Sequence, residues 1–187
     1  MKDFCEFKQK STGLKWNPLH LQKSARSVAD YSVANNYSNY RLPTKVDWRR
    51  SFVVTEVKDQ GNCGSCWAFA SVAAIESHNA LLNGKLVALS EQNLVDCSIK
   101  QGNKGCEGGF MDGAYLYVVE NGGLDTEESY PYEAQDLTCR FKRETVGATM
   151  TAYVNIIGGE NAMKMVVASK GPVSVAVSVS FLWQFYK

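Results

Sequence analysis

The sequence predicts an α+β protein with two lobes, because helical patterns come first along the chain and strand patterns come later. Between residues 66 and 120, apolar side chains recur at three- and four-residue steps, which is typical of helices. From residue 149 onward β-branched residues become frequent, which favours strands. With 187 residues and 45% hydrophobic content, the chain is long enough to bury a sizeable core.

Three helices are predicted in the first lobe, which we place roughly at residues 50–150. The strongest covers residues 66–83 and is followed by a glycine. Ser90 is suited to cap a second, short helix through Val95. The third, over residues 112–120, is ended by an asparagine and two glycines.

The second lobe is predicted to start near residue 151 and to continue to residue 187. Residues 149–157 and 172–179 have the composition of strands, and residues 160–169 between them have that of a helix. The last seven residues are mostly large and apolar, whereas natural termini usually lie at the surface. We therefore expect a C-terminally truncated lobe.

Residues 1–41 differ in composition from the rest. Residues 24–40 are polar, without a sustained period, and predict an extended or loosely ordered segment. Asn36 is a glycosylation acceptor if the chain is exported. The start is charged and lacks the apolar core of a signal peptide, so either the true start lies upstream or the chain is cytosolic.

The charge balance argues against two classes of partner. The chain has 20 basic and 19 acidic side chains and no Lys/Arg block, so neither nucleic acid nor an anionic membrane is expected as a partner. The longest apolar stretch, over residues 172–183, is broken by serines and is too short to span a bilayer.

The cysteines favour disulfides over a metal. Neither His20 nor His78 lies near a cysteine pair, so we predict no metal site and no cofactor. In an oxidising compartment, the five cysteines that follow Cys5 can be divided into one nucleophile and two disulfide-bonded pairs. Cys5 is then left over. The six cysteines are Cys5, Cys63, Cys66, Cys97, Cys106 and Cys139.

Cys66 lies where a glycine-rich turn meets the predicted helix, and a helix N-terminus favours the thiolate. Gln60, six residues upstream, and the Cys66 backbone N–H could together bind the oxyanion of a tetrahedral intermediate. A redox pair with Cys63 is the first alternative, but the aromatic residue of such motifs usually precedes the first cysteine, and here Trp67 follows the second. Two purely structural cysteines are the second alternative.

From residue 42 to the end, about 146 residues, the chain resembles papain-family cysteine proteases, and within them the cathepsin L-like branch. The resemblance implies a papain-like two-lobed fold, with a helical left lobe present and a β-barrel-like right lobe incomplete. It rests on the segments Val46-Asp47-Trp48-Arg49, Val57 through Phe69, Leu89 through Cys97, Gly105 through Asp112, Glu128 through Tyr132, and Gly171 through Val175.

The resemblance also implies roles for individual residues. It implies the disulfides Cys63–Cys106 and Cys97–Cys139 and leaves Cys66 as the nucleophile. It implies that Gly108 and Gly109 hydrogen-bond an extended peptide, their lack of side chains allowing close approach. The residues expected to contact substrate are Gly64, Trp67, Gly108, Gly109, Phe110, Met111 and Ala176. Of these, Phe110, Met111 and Ala176 would line an apolar specificity pocket, although Phe110 and Met111 also suit ordinary core packing.

By the same resemblance, residues 1–41 are the tail of a propeptide of a zymogen, and residues 42–187 are part of the peptidase domain. The expected partners are peptide or protein substrates, the protein's own propeptide and cystatin-type inhibitors. The expected location is lysosomal or extracellular.

A general base is missing from this pattern. Papain-type catalysis needs an imidazole beside the thiol and an asparagine to orient it. His78 lies twelve residues along the helix from Cys66, and His20 lies in the propeptide-like part. We therefore predict a cysteine endopeptidase fragment that lacks the catalytic His and Asn and hydrolyses peptide bonds negligibly by itself. The alternative is a non-catalytic homologue that binds peptides or proteins.

Overall fold

The computed structural model describes residues 30–32 and 42–177. Several sequence-based expectations lie outside these residues: those for Cys5, His20 and the Asn36 sequon, and that for the apolar end of the chain. Of the propeptide-like segment, only the backbone of residues 30–32 is described.

The described residues contain four α-helices, which are α1 (Cys66–Asn83), α2 (Glu91–Cys97), α3 (Met111–Asn121) and α4 (Gly159–Ser169). All four predicted helices are present, and each begins and ends within two residues of its expected bounds. The bounds of α1 are the same as those predicted. The Ser90 hydroxyl accepts a hydrogen bond from the Asn93 N–H at 2.9 Å, as a capping serine should. Gly84 ends α1 in the left-handed conformation, with φ of 71°.

The strands are short and form two sheets of two strands each. Strand β1 (Asp30–Ser32) pairs in parallel with β4 (Asn155–Ile157), and β2 (Leu124–Asp125) pairs antiparallel with β3 (Val146–Ala148). The order of helices before most strands confirms an α+β protein.

Two strand predictions need correction. The strand predicted over 149–157 exists only as its last three residues, β4. Residues 172–177, the described part of the strand predicted over 172–179, form no strand. A strand needs a hydrogen-bonded neighbour, and these residues have no ladder partner among the described residues.

The main core lies where α1, α2 and α3 pack together around the fully buried Trp67, Leu94 and Val118. A smaller cluster around Ala162 and Val166 buries the inner face of α4. The main core includes Trp67, the residue after Cys66, so the packing of the three helices fixes the position of Cys66. Within the described residues, no helix is long and apolar enough to cross a membrane.

Polar contacts join residues 172–174 to the first lobe. The Ser174 hydroxyl donates to the Ala70 carbonyl at 2.6 Å and pairs with the Tyr115 hydroxyl at 2.6 Å. His78 Nε2 lies 3.0 Å from the Pro172 carbonyl oxygen. His78 thus packs against the chain entering the second lobe, consistent with the expectation that it is no catalytic base.

Candidate active site

Cys66 is the first residue of α1 and has a free, half-buried thiol. An α-helix leaves its first N–H groups without helical acceptors, and its dipole places partial positive charge there. The Ser65 hydroxyl, at the N-cap position, makes no capping bond to these groups. The thiol therefore lies beside helix N–H groups that the helix itself leaves unsatisfied.

Gln60 belongs to the turn that leads into α1. Its amide Nε2 donates to the Cys63 carbonyl at 2.8 Å, and that carbonyl also accepts from the Ser65 N–H at 2.9 Å. Gly61 has φ of 61°, a conformation in which a side chain is strained, and its N–H donates to Asp59 Oδ1. These bonds fold the Gln60 turn tightly onto the residues before Cys66.

Both implied disulfides are present in the structure. Cys63–Cys106 joins the turn before Cys66 to the loop before Gly108, and Cys97–Cys139 ties α2 to a later loop. The separations of 43 and 42 residues correspond, in the chain-entropy model, to about 4 kcal/mol each. Beside the first bridge, the Gly64 N–H donates to the Cys106 carbonyl at 2.9 Å.

Trp67, the residue after Cys66, is buried in the core next to the site. Its side chain has no exposed surface, and its Nε1 donates to the Gly105 carbonyl at 3.3 Å. A direct contact of Trp67 with substrate therefore does not agree with its burial in the structure. The indole instead packs against Gly109 in the Gly108–Gly109 turn.

The two glycines differ from each other. Both backbone groups of Gly108 bond within their own turn. The Gly108 N–H donates to the Gly105 carbonyl at 3.3 Å, and the Gly108 carbonyl accepts from the Lys104 N–H at 2.8 Å. A Cβ on Gly109 would lie 2.7 Å from Trp67 Cε2 and 2.5 Å from Asn103 Oδ1. Gly109 is thus required for internal packing, which is a reason that the sequence analysis did not foresee.

We expect Gly109→Ala to destabilise the fold by about 2 kcal/mol, because either the buried Trp67 ring or Asn103 must move. Gly84→Ala is the matched control: it meets nothing within 4 Å and should cost about 1 kcal/mol through its positive φ alone. Urea unfolding of the two variants measures the difference. Equal losses would show that the space around Gly109 is not tight.

The three expected pocket residues lie in different surroundings. Phe110 is half-buried, and its N–H donates to the buried Asn103 Oδ1 at 2.8 Å. Met111 packs against the main core, as the alternative of core packing predicts. Ala176 is exposed. A pocket formed by all three stays a prediction.

Tyr132 is the neighbour of this site that sequence reasoning missed. Its hydroxyl donates to the Gln60 carbonyl at 2.8 Å and lies 2.6 Å from the Ser65 hydroxyl oxygen. Its ring packs edge-on against Phe69 of α1, with centroids 4.9 Å apart. The segment that contains Tyr132 was recognised as part of the family resemblance, but no spacing rule connects it to a turn 72 residues away.

A buried charged cluster lies next to the Gln60 turn and was also not predicted. Lys58 Nζ lies 3.0 Å from Glu76 Oε1 and 2.7 Å from Glu91 Oε1. Glu76 further accepts bonds from the Thr55 hydroxyl and the Leu89 N–H. One ammonium group therefore contacts two buried carboxyl groups, and the half-buried Glu127 interacts electrostatically with the same cluster.

The cluster changes the proton affinity of its members. Burial raises the pKa of Glu91 to about 7, outweighing the attraction of Lys58, and the like charge of Glu127 adds to the rise. Burial likewise raises the pKa of Glu127. Glu91 Oε2 and Glu127 Oε2 are both buried without a hydrogen-bond partner within the described part of the chain. Burial disfavours the Lys58 ammonium, but Glu91 and Glu76 outweigh this and raise its pKa.

Among residues 30–32 and 42–177, no group of three or more His, Cys, Asp or Glu side chains is arranged to hold a metal ion.

Comparison with known proteins identifies a family for residues 42–187, which match a family model described as papain family cysteine protease. A cathepsin L-like peptidase of Aedes aegypti is 56% identical over 151 residues, covering 80% of this chain and 44% of that relative. Cathepsin L1 of Drosophila melanogaster is 50% identical over 184 residues, covering 97% of this chain and 49% of the relative.

A solved structure agrees with these sequence matches. The digestive procathepsin L2 proteinase from the larval midgut of Tenebrio molitor has a TM-score of 0.78 and 38% identity, covering 90% of this chain and 54% of that one. The chain thus spans about half the length of the curated relatives that it matches.

Proposed function

The chain belongs to the papain family of cysteine proteases and has their α+β fold, and we propose that Cys66 is the nucleophile of a cathepsin L-like endopeptidase. The observation that carries the proposal is the free thiol at the first residue of α1, beside the tightly folded Gln60 turn. The whole protein's substrates are peptides or proteins in extended conformation.

In the proposed mechanism, the Cys66 thiolate attacks the carbonyl carbon of the scissile peptide bond. The carbon–sulfur bond forms, and the carbonyl electrons move onto oxygen. The Gln60 amide and the Cys66 N–H donate to that oxyanion. When the intermediate collapses, the carbon–nitrogen bond breaks and the amine leaves with the proton that the thiol gave up to its acceptor. Water then hydrolyses the acyl-cysteine to the carboxylic acid and the free thiol.

The thiol proton needs an acceptor that the described residues do not supply, because His78 is bound to the Pro172 carbonyl. We therefore expect the 187 residues alone to turn over peptide amides negligibly. Acylation of Cys66 by an activated ester and its reversible attack on an aldehyde depend less on that base, because neither reaction has to deliver a proton to an amine leaving group.

Gly109 is the glycine that we propose to pair with the substrate backbone, because both backbone groups of Gly108 bond within their own turn. We propose that Phe110 and Ala176 favour a bulky apolar residue two positions before the scissile bond. The propeptide and cystatin-type inhibitors would occupy the same cleft. The proposed compartment is lysosomal or extracellular, where both disulfides persist.

A peptide-binding homologue without catalysis is the second candidate, and one experiment separates the two. A dipeptidyl aldehyde with an apolar residue is compared with the matching alcohol for binding to the chain. The thiol adds to the aldehyde carbon, and its proton moves to the oxygen, which gives a hemithioacetal that resembles the tetrahedral intermediate.

For a peptidase site we expect the aldehyde to bind about a hundredfold more tightly than the alcohol. Cys66→Ala should abolish this preference, and Gln60→Ala should reduce it about tenfold. A pure binder would hold both ligands equally, and Cys66→Ala would change neither affinity. That result would overturn the peptidase proposal.

A further inference from the structure

We propose that Tyr132 is a positioning residue that holds the Gln60 turn and the N-terminus of α1 in one arrangement and so aligns the two oxyanion donors. This inference rests on the proposed function, because it concerns the same oxyanion site. Tyr132 contacts both parts of the site: the backbone of Gln60 on one side, and Ser65 and Phe69 of the α1 segment on the other.

The hydrogen bonds have a defined direction. The Tyr132 hydroxyl donates its single proton to the Gln60 carbonyl at 2.8 Å. The Ser65 hydroxyl has two acceptors in reach, the Tyr132 oxygen at 2.6 Å and the Cys63 carbonyl at 3.5 Å, and we assign its proton to the shorter contact. A continuous chain of donors thus runs from the residue that precedes Cys66 to the residue that carries the amide donor.

This chain also explains why Ser65 does not cap its own helix. A serine at the N-cap position ordinarily accepts a bond from an N–H of the first helical turn. Here the Ser65 hydroxyl makes no such bond and pairs with Tyr132 instead. The Ser65 hydroxyl is thus turned toward Tyr132 and makes no bond to the first turn of α1.

Two further contacts hold Tyr132 in place. Its N–H donates to Glu127 Oε1 at 3.0 Å, and its ring meets that of Phe69 at 81°. Burial raises the pKa of Tyr132, so the hydroxyl keeps its proton and remains a donor at every physiological pH. These contacts hold the Gln60 turn and the N-terminus of α1 in a fixed position relative to each other.

The test uses Tyr132→Phe, which removes the hydroxyl and keeps the ring against Phe69. The measured quantity is the preference of the chain for the dipeptidyl aldehyde over the matching alcohol. We expect Tyr132→Phe to reduce this preference about tenfold and to leave the alcohol affinity unchanged. Tyr117→Phe is the matched control, because it removes a hydroxyl bonded to Asn93 in the core, away from the site; its preference should stay within twofold of the original.

Two further variants keep the test decisive if Tyr132→Phe folds poorly. Ser65→Ala removes the first donor of the chain and should also lower the aldehyde preference severalfold. In the double variant Gln60→Ala/Tyr132→Phe, the loss should be smaller than the product of the two single losses, because part of the effect of Tyr132 runs through the donor that Gln60→Ala has already removed.

The inference is overturned if Tyr132→Phe and Ser65→Ala lower the melting temperature but leave the aldehyde preference intact, or if the losses of Tyr132→Phe and Gln60→Ala multiply in the double variant. Failure of the proposed function looks different. In that case the unmodified chain shows no aldehyde preference at all, and both proposals fall together.

Discussion

Lys58→Met is expected to destabilise the protein by about 3–4 kcal/mol at pH 7.5 and by only about 1 kcal/mol at pH 4.5. Lys58 supplies the ammonium that faces the buried Glu76 and Glu91, whose side chains are 1% and 2% exposed. Methionine keeps the length of the stem but leaves these carboxylates without a counter-charge. At acidic pH, protonation of Glu91 removes part of the uncompensated charge, so the loss shrinks.

Urea unfolding at the two pH values measures the effect. Lys85→Met is the control, since Lys85 is exposed, and it should change the free energy of unfolding by less than about 0.5 kcal/mol at either pH. A loss for Lys58→Met that is the same at pH 4.5 and pH 7.5 would contradict the assignment of the titrating carboxyl to this cluster.

The unmodified protein is expected to lose about 2–3 kcal/mol of folding stability as the pH rises from 4.5 to 7.5. The pKa of Glu91 rises from its ordinary value of 4.5 to about 7 on folding, chiefly through burial. Between these values the native state binds more protons than the unfolded state, so stability falls with rising pH. The contribution is complete below pH 4.5 and is lost as the pH passes through 7.

Glu91→Gln tests this assignment, because glutamine does not titrate. The variant should lose most of the dependence of unfolding free energy on pH over this range, and the smaller part that remains is that of Glu127, whose pKa burial also raises. Glu128→Gln, at an exposed position, is the control and should keep the slope of the unmodified protein. A Glu91→Gln variant with an unchanged slope would assign the proton uptake to another group.

Local patterns predicted the helices well. The bounds of α1 agree with the structure because a long apolar period and a terminal glycine both act within one segment. The strands were predicted poorly because β3 and β4 are each three residues long and exist through pairing with residues far away in the chain. Such pairing leaves no periodic signal.

The residues of the candidate site likewise divide into those that a local sequence motif predicts and those that it does not. Cys66 and Gln60 lie six residues apart, so a single motif predicts both. Lys58 and Glu91 are separated by 33 residues, and Glu91 directly after Ser90 looks like an ordinary acidic residue at the start of a helix. Tyr132 reaches the site only through the tertiary fold. Contacts of this kind follow from packing, which a single sequence does not encode in any local pattern.

The most direct test of the central claim is the reaction of the chain with a dipeptidyl 4-nitrophenyl ester, followed by mass spectrometry and peptide mapping. If Cys66 is the nucleophile beside an oxyanion site, one acyl group attaches to Cys66, none attaches in Cys66→Ala, and Gln60→Ala slows the attachment at least tenfold. An acyl group found on Cys5 at the same rate as on Cys66, or a rate unaffected by Gln60→Ala, would contradict the account.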